Sequence, residues 1–325
     1  MNFPRIAALA ALAAFVSACS NSSQSLPATV NGTATGASVA GLNAGSKDEW
    51  HRALRENGLP AAGCFKAVFP STTWARIACG VPPKIWFPPR RGKHQLGQQI
   101  GDGQDYTADV TPKLISQSIG SFPATKDVQT VTSQGGSAGP NSYTLQLNSN
   151  FFTSAACGTL SSCAGWSQFV YSNPPGSSEG ALFIQDWLVP LTGRGWSQCP
   201  PGKGWENVGF GCVQNSPGGV YIPNVKISDI ANVTETGVAA TDGDSVYMSV
   251  DGTEYGMKNV QSDGITDLST GWQGSEFNII GNGGGGRANF NSGAKITVNI
   301  QVDDGATTAP SCPAGSGTTG ETNNL

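Results

Sequence analysis

The stretch ALFIQDWL (residues 181–188) decides the fold class, because two kinds of side chain alternate along it. Successive side chains of a β-strand point to opposite faces, so one face carries the aliphatic residues Leu182, Ile184 and Leu188. The other face carries Phe183, Gln185 and Trp187. Such alternation predicts a strand that turns one face toward a hydrophobic core.

Similar short runs recur along the chain, separated by turn sequences such as Asp242-Gly243 and Asp251-Gly252. They lie at residues 143–147, 168–171, 220–222, 245–250, 276–280 and 294–302. Many short strands joined by Gly-rich turns, with one convincing helix, predict an all-β fold. We expect an antiparallel β-sandwich of the jelly-roll kind.

The composition argues against several classes of function. Only 12% of the 325 residues are charged, the net charge is −4 and no basic block occurs, so nucleic acid is not an expected partner. The two histidines, His51 and His94, form no HExxH motif and lie outside the strand-rich region. This placement argues against a zinc peptidase and against a Ser-His-Asp triad. No CxxC occurs, and we expect neither a metal nor another cofactor.

The N-terminus has the features of an export signal. Arg5 precedes an apolar run, too short for a membrane-spanning helix, that ends in Val16-Ser17-Ala18-Cys19. This ending resembles a bacterial lipobox, which implies a signal peptide at 1–18 and a lipid on Cys19. Residues 19–46 are mostly small and polar, as expected of a flexible tether. We expect an exported protein, either anchored to the outer membrane or cell surface or extracellular; the alternative is an ordinary signal peptide with a coincidental cysteine.

The other seven cysteines are expected to form disulfides, because oxidising compartments favour them. Sequence neighbours suggest the pairs Cys64–Cys79, Cys157–Cys163 and Cys199–Cys212. Spacing alone does not establish the connectivity. These pairs would leave Cys312 unpaired, and a further C-terminal strand carrying its partner would account for the odd number.

The chain before the sandwich divides into a helix and a disulfide-tied stretch. The helix predicted at 47–57 places Trp50, Ala53 and Leu54 on one face. The stretch to Pro89 is rich in proline and predicts irregular structure. Arg90-Arg91-Gly92-Lys93 follows it, as a solvated linker or as a processing site. We expect an N-terminal segment at 47–125, with a pro-region as its sharpest interpretation, and a β-sandwich domain at 126–325.

A second strand, within WQGSEFNI (272–279), carries polar residues beside an aromatic one. Alternation turns Phe277 and Ile279 to one face and predicts Trp272, Glu276 and Asn278 on the other. The core of a sandwich takes the Phe and Ile face. Glu276, like Gln185, is therefore expected on the outer face of a sheet.

At these strands the sequence resembles the glutamic peptidases of the eqolisin type. Ala181 to Trp187 is similar to the Gln strand of that family, Ala-Ile-Leu-Gln-Thr-Gly-Val. Residues 166–171 stand in the place of its preceding Trp-led strand, and residues 243–250 resemble its Gly-Asp-Ser strand. Ser275 to Ile279 resembles its Glu strand. The order of these strands is preserved over about residues 160–302. Two motifs of the family differ here: its aromatic Trp-Tyr-Glu-Trp-Tyr-Pro strand is reduced to Val220-Tyr221-Ile222-Pro223, and its acidic Gly-Ile-Asp-Gly is absent.

The resemblance implies a concanavalin-like β-sandwich and an acid endopeptidase acting on polypeptides. It implies that Glu276 is the general base for an attacking water and that Gln185 donates a hydrogen bond to the oxyanion. It also implies a substrate groove on the same face. The residues expected to line that groove are Trp166, Phe183, Trp187, Trp272 and Asn278.

Two other interpretations use the same residues. The same face, with its aromatic and amide side chains, would suit a non-catalytic carbohydrate-binding or adhesive surface lipoprotein. Gln185 and Glu276 would then be sugar ligands, or ordinary solvent-facing residues. A glycosidase of the laminarinase type is disfavoured, because no Glu-x-Asp-x-x-Glu run supplies paired carboxylates.

Overall fold

A computed structural model describes residues 46–89, 106–135, 137–192, 195–259, 265–283, 286–320 and 322–325. Several expected features lie outside these residues: the signal peptide, Cys19, the tether up to residue 45, the Arg90–Lys93 cluster and His94. Among the described helices, none is long and apolar enough to cross a membrane.

The described chain forms one α-helix, three 3₁₀ turns and seventeen β-strands. The helix α1 is Lys47–Asn57, and the 3₁₀ turns are Ala155–Cys157, Ile227–Asn232 and Leu268–Thr270. The first eight strands are β1 Gly63–Val68, β2 Ala75–Ile77, β3 Thr107–Asp109, β4 Gln117–Lys126, β5 Val131–Gln134, β6 Tyr143–Ser149, β7 Cys163–Asn173 and β8 Glu179–Pro190. The others are β9 Glu206–Asn207, β10 Cys212–Asn215, β11 Val220–Pro223, β12 Thr234–Val238, β13 Asp244–Val250, β14 Thr253–Asn259, β15 Gly274–Ile280, β16 Arg287–Phe290 and β17 Lys295–Asp303.

Two antiparallel sheets form a sandwich, which confirms the all-β prediction. The seven-stranded sheet has the order β17-β4-β12-β13-β14-β1-β2. The eight-stranded sheet has the order β3-β15-β6-β7-β8-β10-β9, with β11 paired to β8, and β16 and β5 form a separate pair. Every predicted run lies in a strand, except that residue 294 precedes β17. Several strands were not predicted; in β12 and β14, for example, polar and glycine residues obscure the period-two pattern.

The inner faces of the two sheets meet in the main hydrophobic core. Phe277 lies over Gly120, where a Cβ atom would come within 2.3 Å of the ring. Phe169 lies over Gly237 in the same way, at 2.4 Å. Glycine at these two positions lets an aromatic ring reach the opposing backbone, so the sheets pack closely at the centre.

Helix α1 begins with a capping box and packs on the outer face of the seven-stranded sheet. Ser46 accepts a hydrogen bond from the Glu49 main chain, and Glu49 accepts one from the Ser46 main chain. Trp50 and Leu54 are fully buried and form a cluster with Ala67 of β1. The predicted helix is therefore confirmed.

The N-terminal segment is more closely integrated than the sequence indicates. β1 pairs with β14 and β2 pairs with β1, so this segment supplies one edge of the seven-stranded sheet. The expected boundary at 125/126 falls inside β4, which lies between β17 and β12. The sandwich therefore includes strands that precede residue 126.

The three predicted disulfides are present: Cys64–Cys79, Cys157–Cys163 and Cys199–Cys212. Cys312 is also disulfide-bonded, so the expectation that it is unpaired is wrong. A disulfide-rich chain of this kind is typical of exported proteins.

Candidate active site

A row of polar side chains crosses the eight-stranded sheet. Strand pairing places Glu276 of β15 opposite Asn148 of β6, Asn148 opposite Gln168 of β7, and Gln168 opposite Gln185 of β8. Asn215 of β10 continues the row beyond Gln185. We call these five residues the polar row. Directly opposed residues of antiparallel strands share a face, so all five point away from the intersheet core.

Gln185 and Glu276 share this row but are not neighbours. β6 and β7 lie between their strands, and at about 4.8 Å per strand their backbones are about 14 Å apart. A single water molecule or carbonyl group cannot contact both side chains at that separation. The two residues that the sequence predicts as a catalytic pair therefore occupy separate environments.

Gln185 binds an extended segment of the chain. We call residues 81–89 the strap. The Gln185 Nε2 donates to Ile85 O at 3.0 Å, and Phe87 N donates to Gln185 Oε1 at 2.9 Å. Nearby, Asn215 Nδ2 donates to Pro83 O at 3.0 Å. The carboxamide thus makes a donor and an acceptor contact with the main chain at alternate residues of the strap.

Glu276 is buried under the C-terminal segment, which we define as residues 313–325. Its Oε2 accepts hydrogen bonds from Thr318 N at 2.7 Å, Thr319 N at 3.1 Å and Thr318 Oγ1 at 3.0 Å. Its Oε1 accepts from Thr319 Oγ1 at 2.5 Å. Burial raises the pKa of the Glu276 carboxyl, and the hydrogen bonds from both threonines only partly offset this effect.

Two amides at the centre of the row were not predicted. Gln168 Nε2 donates to Asn148 Oδ1 at 3.0 Å and to Gln146 Oε1 at 2.9 Å. Trp187 Nε1 donates to Gln168 Oε1 at 3.1 Å. Asn148 and Gln168 are fully buried. A sequence signal did exist for β6, because YTLQLNS alternates apolar residues with polar ones that include Gln146 and Asn148.

The predicted aromatic residues are divided between the two faces. Trp166, Phe183 and Trp187 lie on the outer face and are buried, with Phe87 of the strap against Phe183 and with Trp187 stacked on Phe210. Asn278 lies on the same face and accepts a hydrogen bond from Asn323 Nδ2 at 3.4 Å.

The expectation for Trp272 is wrong. Its ring is 5.6 Å from that of Phe169, within the intersheet core. β15 begins at Gly274, so strand alternation does not extend back to Trp272. The outer face therefore has one aromatic residue fewer than predicted.

A second polar cluster lies under helix α1, on the outer face of the other sheet. His51 Nε2 is 3.2 Å from Ser249 Oγ, and His51 Nδ1 is 2.8 Å from Glu254 Oε2. The latter contact is short, but it lacks the alignment of a hydrogen bond. Ser249 and Glu254 are opposed on β13 and β14, so the histidine bridges two strands. Although the sequence argued against a serine–histidine arrangement, folding brings these residues together.

Comparisons with models of protein families, with curated proteins and with solved structures find no match for this chain. Its class is defined by its own features: a disulfide-bonded antiparallel β-sandwich whose outer sheet face carries the polar row, buried apart from the half-buried Asn215. Among the described residues, no group of three or more His, Cys, Asp or Glu side chains could hold a metal ion.

Proposed function

We propose that this protein is an exported acid endopeptidase of the glutamic type, with Glu276 as its general base. The observation that supports the proposal best is the contact between Gln185 and the strap. Because one carboxamide contacts Ile85 O and Phe87 N, this face is suited to an extended polypeptide main chain. A polypeptide substrate would occupy the position that the strap now holds.

The proposed chemistry needs one water molecule and no cofactor. Glu276 takes a proton from water, and the water oxygen bonds to the carbonyl carbon of the substrate. The resulting oxyanion is stabilised by an amide donor. Glu276 then returns the proton to the leaving nitrogen as the C–N bond breaks, which yields a carboxyl group and an amine.

The covered site fits a precursor form. The strap precedes Arg90 and Arg91, which belong to the basic cluster interpreted above as either a solvated linker or a processing site. We propose that cleavage there allows the strap to leave Gln185, which would remove Phe87 from Phe183. The Thr318 and Thr319 contacts must also open before a substrate can approach Glu276.

The alternative is a carbohydrate-binding or adhesive lipoprotein. Sugar binding requires exposed aromatic faces, whereas Trp166, Phe183 and Trp187 are fully buried. The peptidase proposal requires the same residues to become exposed, so what favours it is the contact of Gln185 with the main chain of the strap. We also propose, from the signal sequence, that Cys19 carries a lipid anchor in the membrane.

Cleavage of an unfolded protein substrate between about pH 2 and 7 tests the peptidase proposal, with pepstatin and EDTA present. We expect wild-type protein to cleave and Glu276→Gln to be inactive while remaining folded. Activity should decline on the acidic side as Glu276 takes up a proton, because a protonated carboxyl cannot act as a general base. The exposed Glu179→Gln variant is the matched control. Equal cleavage by wild type and Glu276→Gln would overturn the proposal.

A further inference from the structure

We infer that Asn148 is a catalytic residue of this site, and that its Nδ2 donates the hydrogen bond that stabilises the oxyanion. The inference rests on the proposed peptidase function and changes the assignment of its amide donor. Gln185, which the sequence predicts for this role, instead binds the main chain of the polypeptide.

Strand register provides the first argument. Asn148 is the residue directly opposite Glu276, and such pairs have Cβ atoms about 4.5–5.5 Å apart. A general base and an oxyanion donor must both lie within about 3 Å of the reacting groups. As the neighbour of Glu276 across the sheet, Asn148 is placed to meet this requirement for a carbonyl bound beside Glu276. Gln185 does not, because two strands separate it from β15.

The orientation of the Asn148 amide provides the second argument. Trp187 Nε1 can only donate a hydrogen bond, so the Gln168 atom that it contacts must be the carboxamide oxygen. The other end of that carboxamide, its NH₂ group, therefore faces Asn148 Oδ1. This chain of hydrogen bonds leaves the NH₂ group of Asn148 as the end that turns away from Gln168. The amide is held in one orientation without any contact from the substrate.

The third argument is that this NH₂ group is buried without a partner. Within the described part of the chain, Asn148 Nδ2 has no hydrogen-bond acceptor, although the residue is fully buried. Buried donors are nearly always paired. By contrast, the Gln185 amino group donates to both Ile85 O and Asn215 Oδ1. A prearranged and unoccupied donor beside a carboxylate is what stabilisation of an oxyanion requires.

Kinetics of Asn148→Ala in the full chain test the assignment, with Gln146→Ala as the matched control. Gln146 is a buried amide on the same strand and face, opposite Asn278 rather than Glu276. We expect Asn148→Ala to lower kcat by about 10²–10³-fold with little change in KM. Gln146→Ala removes one acceptor of Gln168 but leaves the Asn148 amide in place, so kcat should fall far less than in Asn148→Ala. Gln185→Ala should mainly raise KM, because it removes binding of the main chain.

Two results would overturn the inference in different ways. If the wild type shows no Glu276-dependent cleavage, the proposed function fails and the role of Asn148 fails with it. If cleavage depends on Glu276 but Asn148→Ala keeps its kcat, this inference alone fails.

A second measurement does not depend on activity. Asn148→Asp places a second carboxylate beside Glu276, so NMR titration should show a raised pKa for Glu276. Gln185→Glu, on β8, should leave that pKa unchanged. Equal effects of the two variants would contradict the neighbour relationship on which the inference depends.

Discussion

The main-chain N–H of Phe87 donates a 2.9 Å hydrogen bond to Oε1 of Gln185, a residue 98 positions later in the chain. The same carboxamide donates to Ile85 O. One side chain thus ties the strap to the centre of the eight-stranded sheet. These two hydrogen bonds help to hold the strap over the outer face at Gln185, so the strap is the first element to test.

Gln185→Ala should release the strap. The substitution removes the acceptor of Phe87 N and the donor to Ile85 O, so the Phe87 amide should exchange its hydrogen faster. Hydrogen exchange of peptides that cover residues 81–89 measures this effect. Gln146→Ala is the control, because it removes a buried amide that does not contact the strap. Equal protection of the strap in wild type and Gln185→Ala would show that its apolar contacts suffice.

The stability of the protein should rise as the pH falls toward 4, because of Asp186. Burial raises the pKa of Asp186 to about 6, although Ser167 and Thr266 donate hydrogen bonds to it. The raised pKa means that the folded state binds the proton more tightly than the unfolded state. The contribution, about 3 kcal/mol, is fully present below about pH 4 and lost as the pH rises through about 6.

Asp186→Asn should flatten this dependence of stability on pH, since the asparagine does not titrate. Urea unfolding at several pH values measures it, with the exposed Asp229→Asn as control. A wild-type stability that falls on acidification over this range, or an Asp186→Asn profile that matches the wild type, would contradict the prediction.

His51→Ala should weaken the attachment of helix α1. Glu254 is only 2% exposed, and its Oε2 lies 2.8 Å from the imidazole. Without the ring, the buried carboxylate loses this polar contact, which should cost about 1–3 kcal/mol of unfolding free energy. The exposed Arg52→Ala on the same helix should cost less. A double-mutant cycle with Glu254→Gln isolates the coupling, and a coupling of zero would show that the two groups are independent.

Mass spectrometry of the native protein should show three internal disulfides and a lipid on Cys19. Cys312 is disulfide-bonded as well, and the sequence contains only eight cysteines. A lipid thioether and a disulfide cannot share one sulfur, so a lipid on Cys19 would require that Cys312 pair with a cysteine other than Cys19. A non-reduced peptide that links Cys19 to Cys312 would exclude the lipid anchor.

The fold class could be predicted from the sequence because its determinants are local. The period-two pattern of residues 181–188 and the turn at Asp251-Gly252 depend only on neighbouring residues. The same locality explains why the three disulfides between sequence neighbours were identified correctly. The predicted face of Trp272 is wrong because strand alternation does not hold before Gly274, the first residue of β15.

The arrangement of the candidate site was decided by tertiary structure. Alternation by itself predicted that Gln185 and Glu276 both point away from the core. Strand order and register, in contrast, determined that Asn148 and Gln168 lie between them. The strap over Gln185 and the threonines over Glu276 are contacts between residues far apart in sequence. Such contacts depend on how whole strands pair and on which segments cross a finished sheet, and no local pattern encodes either.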